Sequence, residues 1–147
     1  MQETETAAKV MGIHLQPFLV RGLDDFEAAF ETAKKQGAQA LLTTPSPIIS
    51  TAEARIVEFA AKNRLPAMYA QPEFVDAGGL MSYAPSYTDL FHRAATYVDK
   101  ILKGTRPADL PVEQPTKFEF IINLKAAKQL GVTIPQSVLY RADRVIK

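Results

Sequence analysis

The sequence predicts an α/β fold, in which helices pack on both sides of a parallel β-sheet to give three layers. Segments with the apolar spacing of helices alternate with short β-rich segments, and the connections between them are only a few residues long. The length of 147 residues, of which 47% are hydrophobic, is enough for one domain with a buried core. Short connections in such an alternation favour right-handed crossovers and therefore parallel strands.

The first third of the chain contains two predicted helices and one predicted strand. Residues 3–11 have helical composition. Residues 13–20 are β-rich, although Pro17 restricts this segment to an edge or a strand end because proline has no backbone N–H. The aspartates at 24–25 can cap the next helix, in which apolar residues recur at helical spacing until Gly37 stops it.

The middle of the chain continues the alternation. Residues 38–43 are predicted to form a short buried strand, and the two prolines within 44–49 indicate a loop. Ser50 and Glu53 have the spacing of a capping box, in which each side chain bonds to the backbone of the other, and an apolar helical face follows. The next strand is predicted over residues 65–69.

Two further strands and two further helices complete the pattern. The predicted strands are residues 80–83 and 118–122. Ser86 and Asp89 again have capping-box spacing, and the helix that follows them extends to about residue 103 with a continuous apolar face. Asn123 is the expected cap of the last helix, which Gly131 ends.

Composition excludes several classes of function. Seventeen basic and sixteen acidic residues give a net charge of +1, which creates no field that would attract nucleic acid or an anionic membrane. The absence of cysteine excludes thiol catalysis, disulfides and cysteine metal sites. The first ten residues are polar and acidic, so we expect no secretory signal in this chain, and the apolar runs are too short to span a bilayer.

No catalytic motif stands out. The chain has no G-x-S-x-G nucleophile elbow and no glycine-rich phosphate loop. His14 and His92 are the two histidines, and neither has a carboxylate at ligand spacing, so we expect both at the surface or at a boundary. A small α/β enzyme is therefore the least supported class, and no metal or other cofactor is expected.

Four aromatic residues lie at or just beyond predicted strand ends. They are Tyr69, Phe74, Tyr83 and Tyr87. Ligands of α/β proteins bind at the carboxyl ends of strands, and tyrosine offers both a ring for stacking and a hydroxyl for orienting a polar group. These residues either line a pocket or pack at the boundary of the core, and the sequence leaves both alternatives open.

Two sequence blocks resemble one protein family closely. They are GGLMSY at residues 78–83 and KGTRPADLPVEQPTK at residues 103–117. Both resemble the substrate-binding proteins of ABC transporters often labelled tryptophan/tyrosine uptake systems, and the resemblance extends over the chain from about Glu5 onwards. It implies the type I periplasmic binding protein fold, with two α/β lobes that close on a ligand between them. It also implies an extracytoplasmic location and an ABC permease as partner.

The chain departs from this family in length. Residues 1–77 and 118–147 resemble the C-terminal lobe, and residues 78–117 resemble a crossing strand and helix that would complete the other lobe. Nearly the whole first lobe is missing. We therefore expect the apolar face of the predicted helix after Ser86 to be exposed and the chain to self-associate, with that segment exchanged or folded back.

The resemblance implies a small amino-acid-like ligand, such as an aromatic amino acid, bound without catalysis. By strand-end position, the candidate ligand-binding residues are Thr44, Ser46, Tyr69, Phe74, Ser82 and Tyr83. An alternative from a different class is an oligomeric structural or regulatory remnant that binds no solute.

Overall fold

The computed structural model describes residues 2–147 and contains one five-stranded sheet with the strand order β1-β2-β3-β4-β5. The strands are β1 (Leu41–Leu42), β2 (Ala67–Tyr69), β3 (Met81–Pro85), β4 (Phe118–Asn123) and β5 (Arg144–Ile146). The helices are α1 (Gln2–Val10), α2 (Asp25–Lys35), α3 (Pro47–Thr51), α4 (Glu53–Lys62), α5 (Glu73–Asp76), α6 (Tyr87–Leu102), α7 (Leu124–Leu130) and α8 (Gln136–Leu139), with a 3₁₀ turn at Pro107–Asp109. The predicted α/β fold class is confirmed.

The sheet is mostly parallel, with one exception. β1, β2 and β3 are parallel to one another and β5 is parallel to β4, but β4 runs antiparallel to β3. After β3 the chain forms α6 and then returns to the sheet next to the end of β3. There the Ser86 N–H donates a hydrogen bond to Lys117 O at 2.9 Å. A chain that re-enters at the same end of the sheet must run in the opposite direction, so the β3–β4 pair departs from the parallel arrangement that the sequence predicts.

The main core lies on one face of the sheet, here called the inner face. Ala67 and Tyr69 of β2 point to this face and pack against residues of α2, α4 and α5, including Phe26, Ile56 and Phe74. Leu80, Ser82 and Ala84 point the same way from the segment that contains β3, and all three are buried. Alternation along a strand sends the intervening side chains to the other face, here called the outer face.

Helix α7 begins and ends at the residues that the sequence predicts. Asn123 precedes α7, and its Oδ1 accepts a hydrogen bond from the Ala126 N–H at 3.1 Å. This bond satisfies one of the free N–H groups of the first turn. Gly131 ends α7 with φ of 72°, a conformation that glycine adopts without steric cost.

The predicted strand over 13–20 is wrong. Residues 13–20 are all described by the structure, and none belongs to a strand. Most of their side chains are exposed, including Leu19 at 78%. Pro17 removes one of the N–H groups that a ladder would need, and the segment buries too little surface to fix it at the sheet edge.

The region after β1 also differs from its prediction. Pro47 begins α3 inside the predicted loop, because proline at the first helical position lacks only an N–H that would have had no partner. Ser50 is therefore inside a helix, and its hydroxyl donates to Gln71 Oε1 at 2.7 Å. The capping box predicted for Ser50 and Glu53 is wrong for this reason.

Residues 86–117 leave the sheet and are here called the arm. The arm consists of α6, the 3₁₀ turn and an extended return segment. Arg93 pairs with Glu113, and the Tyr97 hydroxyl donates to Pro111 O at 2.7 Å, so the return segment is fastened to one flank of α6. Of residues 87–102, all of which the structure describes, none is buried, which agrees with the expected exposure of this helix.

The hydroxyl of Ser86 does not cap α6. It donates to Glu119 Oε1 at 2.5 Å and so joins the start of the arm to β4. The capping box predicted for Ser86 and Asp89 is therefore wrong, although Ser86 does precede the helix. A cap would need the Ser86 Oγ to accept from an N–H of the first turn, whereas the hydroxyl is instead oriented by donating to a carboxylate on the neighbouring strand.

Candidate functional site

The carboxyl ends of β1 and β2 are joined by side-chain hydrogen bonds. Thr43 is buried, and its Oγ1 accepts from the Ala70 N–H at 3.2 Å. Ser50 donates to Gln71 across the same edge. These two bonds hold the loops after β1 and β2 together, at the position where parallel sheets bind ligands.

Thr44 and Ser46 lie in the loop at this edge. The side chain of Thr44 is exposed, and that of Ser46 is half-buried immediately before α3. Both hydroxyls can donate and accept hydrogen bonds. Their predicted contact with a solute is compatible with this position and stays a prediction.

Tyr69 and Phe74 lie in the inner-face core. Their rings stack at a centroid distance of 4.8 Å, and each residue is 1% exposed. Burial raises the pKa of the Tyr69 hydroxyl to about 12, so this group is neutral at physiological pH. The sequence alone could not separate this burial from the pocket lining that we predicted, and a ligand-binding role for the two residues stays a prediction.

A small cavity adjoins the Tyr69 ring on the inner face. Gly79, Leu80 and Leu130 contribute to its walls, and its volume is about 30 Å³. A space of this size corresponds to about one water molecule. An amino acid would not fit there without displacement of core side chains.

Ser82 is fully buried in β3. It pairs in register with Tyr69 on one side and Ile121 on the other. Within the described residues 2–147, its Oγ has no hydrogen-bond partner. A buried hydroxyl without a partner costs roughly 1–3 kcal/mol.

Tyr83 points to the outer face, where it meets two phenylalanines of β4. Its ring stacks on that of Phe118 at a centroid distance of 5.3 Å with an interplanar angle of 11°, and it meets Phe120 edge-on at 6.3 Å. Tyr83 is 55% exposed and Phe118 is 40% exposed. The sequence analysis did not select Phe118 or Phe120, although the alternation in FEF places both on one face of the strand.

The six predicted site residues thus fall into three places. Thr44 and Ser46 lie at the carboxyl edge, Tyr69, Phe74 and Ser82 lie in the inner-face core, and Tyr83 lies on the outer face. Tyr87, the remaining aromatic candidate, lies in the first turn of α6 and is 40% exposed.

Residues 2–147 provide neither a metal site nor a membrane-spanning helix. No group of three or more histidine, aspartate and glutamate side chains in this part of the chain could hold a metal ion. Among the same residues, no helix has the length and hydropathy of a membrane-spanning segment.

Comparison with known proteins identifies the family. The model of the family described as ABC transporter substrate binding protein matches residues 1–146. The chain belongs to this family. No curated protein matches the chain.

Two solved structures are similar to this substrate-binding family member over nearly its whole length. A conserved domain protein from Vibrio cholerae is 26% identical with a TM-score of 0.89, and the match covers 98% of this chain and 48% of that one. An ABC domain from Streptococcus pneumoniae, solved in complex with L-Trp, is 28% identical with a TM-score of 0.89, covering 99% of this chain and 49% of that one.

A third structure supports the fold alone. It is the ligand-free, open form of a substrate binding protein with adhesive properties from Clostridium difficile, 18% identical with a TM-score of 0.69, and the match covers 99% of this chain and 48% of that one. In all three cases the chain spans about half the length of the protein that it resembles.

Proposed function

We propose that this chain is the solute-binding component of an ABC uptake transporter, or one lobe of it, and that it binds a small amino-acid-like molecule without catalysis. The observation that carries the proposal is the match of the substrate-binding family to residues 1–146. The similar structure solved with L-Trp supports the choice of ligand class. An aromatic amino acid is the ligand class that we propose. The corresponding partner is an ABC permease, and the corresponding location is extracytoplasmic.

The proposed site is at the carboxyl ends of β1 and β2 and on the adjoining part of β3. Thr44 and Ser46 would donate hydrogen bonds to the polar end of the solute, and Tyr83 would contact its side chain. Tyr69, Phe74 and Ser82 would stabilise this edge through their packing in the inner-face core. Residues 86–117 would belong to the crossing between lobes, so that solute binding could be linked to hinge closure.

Native mass spectrometry of the purified chain with single amino acids tests this function. We expect an adduct with an aromatic amino acid and a weaker one with an acidic amino acid at equal concentration. Absence of any adduct across L-tryptophan, L-tyrosine, L-phenylalanine, L-leucine and L-glutamate would contradict the proposed function.

Substitution at the edge tests the site. We expect Thr44→Ala combined with Ser46→Ala to weaken binding by roughly tenfold or more, because two hydrogen bonds to the solute are lost. Thr51→Ala is the matched control, since Thr51 is exposed in α3 and its hydroxyl bonds to Pro47 O within the helix. Equal affinities in all three proteins would show that the edge does not bind the solute.

Exposed apolar residues on the arm support a second proposal, which is compatible with the first. Phe91 is 75% exposed and Leu102 is 82% exposed on α6, on the same broad apolar stripe. Apolar surface of this kind is usually covered by a partner, and we propose that two copies associate through α6.

A further inference from the structure

We propose that Tyr83, Phe118 and Phe120 form an aromatic platform that binds the ring of the solute. This inference rests on the proposed function and extends it, because it names the part of the site that selects an aromatic solute. The platform lies on the outer face, where β3 and β4 meet at the base of the arm.

The geometry of the platform is that of a preformed stacking surface. The rings of Tyr83 and Phe118 are nearly parallel, and Phe120 supports Tyr83 from its edge. Tyr83 pairs with Phe120 in the ladder, and Pro85 pairs with Phe118. Side chains held on paired strands lose little conformational freedom when they bind a ligand.

The platform is aligned with the polar edge of the proposed site. If the register of β1, β2 and β3 is continued by two residues, Thr44 aligns with Ala70 and Tyr83, and Tyr83 pairs with Phe120. Adjacent strands are separated by roughly 4.8 Å, so Thr44 and Tyr83 are about 10 Å apart. Ala70 between them has a small side chain, which leaves room above the row for a molecule the size of an aromatic amino acid.

The chemistry of the platform favours an aromatic ring. Glu119 lies between the two phenylalanines in sequence, but it points to the inner face and accepts a hydrogen bond from Ser86. The side chains that the platform presents are therefore three rings without a formal charge. Flat, uncharged rings bind another flat ring through offset or edge contacts. They contribute less to the binding of an aliphatic side chain.

The fluorescence of L-tryptophan provides a clean probe, because the chain contains no tryptophan. We would titrate the full chain into L-tryptophan and compare Phe118→Leu and Tyr83→Leu with the unaltered protein. We expect roughly tenfold weaker binding for each variant, since one ring contact is lost. Phe118→Tyr keeps the ring and should keep the affinity.

Tyr140→Leu is the matched control, because Tyr140 is an aromatic residue more exposed than Phe118 that lies at the end of α8, outside both the platform and the arm. Its affinity for L-tryptophan should equal that of the unaltered chain. Competition with L-leucine adds a readout of selectivity: the platform variants should lose most of the preference for L-tryptophan. Far-UV circular dichroism verifies that each variant is folded.

The outcomes separate the two proposals. If the unaltered chain binds L-tryptophan and both leucine variants bind it equally well, the platform is overturned and the proposed function stands. If the unaltered chain binds none of the amino acids tested, both are overturned. If Phe118→Leu leaves affinity unchanged and instead dissociates a dimer, the platform is a contact between copies and the inference is wrong.

Discussion

Gly79 is required for steric reasons rather than for an unusual backbone angle. A Cβ at this position would lie 2.6 Å from Phe74 O and would also collide with the Tyr69 ring. Neither the backbone of α5 nor a ring in the core can move away at low cost. We expect Gly79→Ala to lower the free energy of unfolding by roughly 1–3 kcal/mol in urea denaturation.

Gly22 provides the matched control for this substitution. Among the described residues, a Cβ at Gly22 would meet nothing within 4 Å. Gly22→Ala should therefore leave the free energy of unfolding unchanged or raise it slightly, because alanine restricts the unfolded chain. A Gly79→Ala variant as stable as the unaltered chain would show that the core around Tyr69 is loosely packed.

The buried hydroxyl of Tyr69 makes stability depend on pH in the alkaline range. Its pKa is raised from 10.0 to about 12 by burial, so the folded chain keeps a proton that the unfolded chain has released. The stabilisation that the raised pKa of Tyr69 gives the folded state is complete below pH 10 and is lost as pH rises through the folded pKa. We expect the free energy of unfolding to fall by about 1.4 kcal/mol per pH unit between the two values.

Comparison with Tyr69→Phe isolates this effect, because the variant has no titrating group at the site. Its denaturation midpoint should fall less steeply above pH 10 than that of the unaltered chain. Tyr140→Phe removes a tyrosine that is 81% exposed. Its denaturation midpoint should fall with pH as steeply as that of the unaltered chain. Identical slopes in all three proteins would mean that Tyr69 ionises as freely as an exposed tyrosine.

The first turn of α7 depends on one side chain. Asn123 is buried, and its Oδ1 accepts from the Ala126 N–H. We expect Asn123→Ala to lower the free energy of unfolding by about 1–2 kcal/mol, because the cap is lost and a buried donor is left without its acceptor. Asn123→Ser keeps a capping oxygen and should recover part of the loss in thermal or urea denaturation.

Elements specified by local signals could be predicted, and elements specified by distant contacts could not. Asn123 and Gly131 mark both ends of α7 in the sequence, and the structure confirms both. Residues 13–20 have the composition of a strand, but a strand also needs a neighbour, and the sheet ends at β1. Ser50 has the right spacing for a cap, but Pro47 has already started a helix three residues earlier.

The candidate site shows the same division. The position of Thr44 in a loop at the carboxyl edge followed from the order of the segments, which their alternation predicts. Tyr69 was selected by the same rule, but its place in the strand turns its ring to the inner face, against Phe74. The pairing of Tyr83 with Phe118 depends on the antiparallel register of β3 and β4, which no local pattern contains.

The molecule as a whole carries an apolar surface on the arm that the rest of the chain does not cover. We expect the chain to form a concentration-dependent dimer in sedimentation velocity, and Phe91→Glu with Leu102→Glu to shift it to the monomer. The thermal stability of the monomer should change little, because both side chains are exposed. Val10→Glu on α1, at 83% exposure, is the control that should leave the dimer intact.

The arm is an insertion between two adjacent strands, because Ser86 and Lys117 at its two ends lie side by side. The backbone of these two residues is hydrogen-bonded, and β3 and β4 run antiparallel towards them. If residues 87–116 were replaced by Asn-Gly, the two strands would become an ordinary β-hairpin with a two-residue turn. The excised helix contributes no buried side chain among the described residues, so the remaining sheet would keep its core. The base of the arm is thus a natural position for grafting one domain into another.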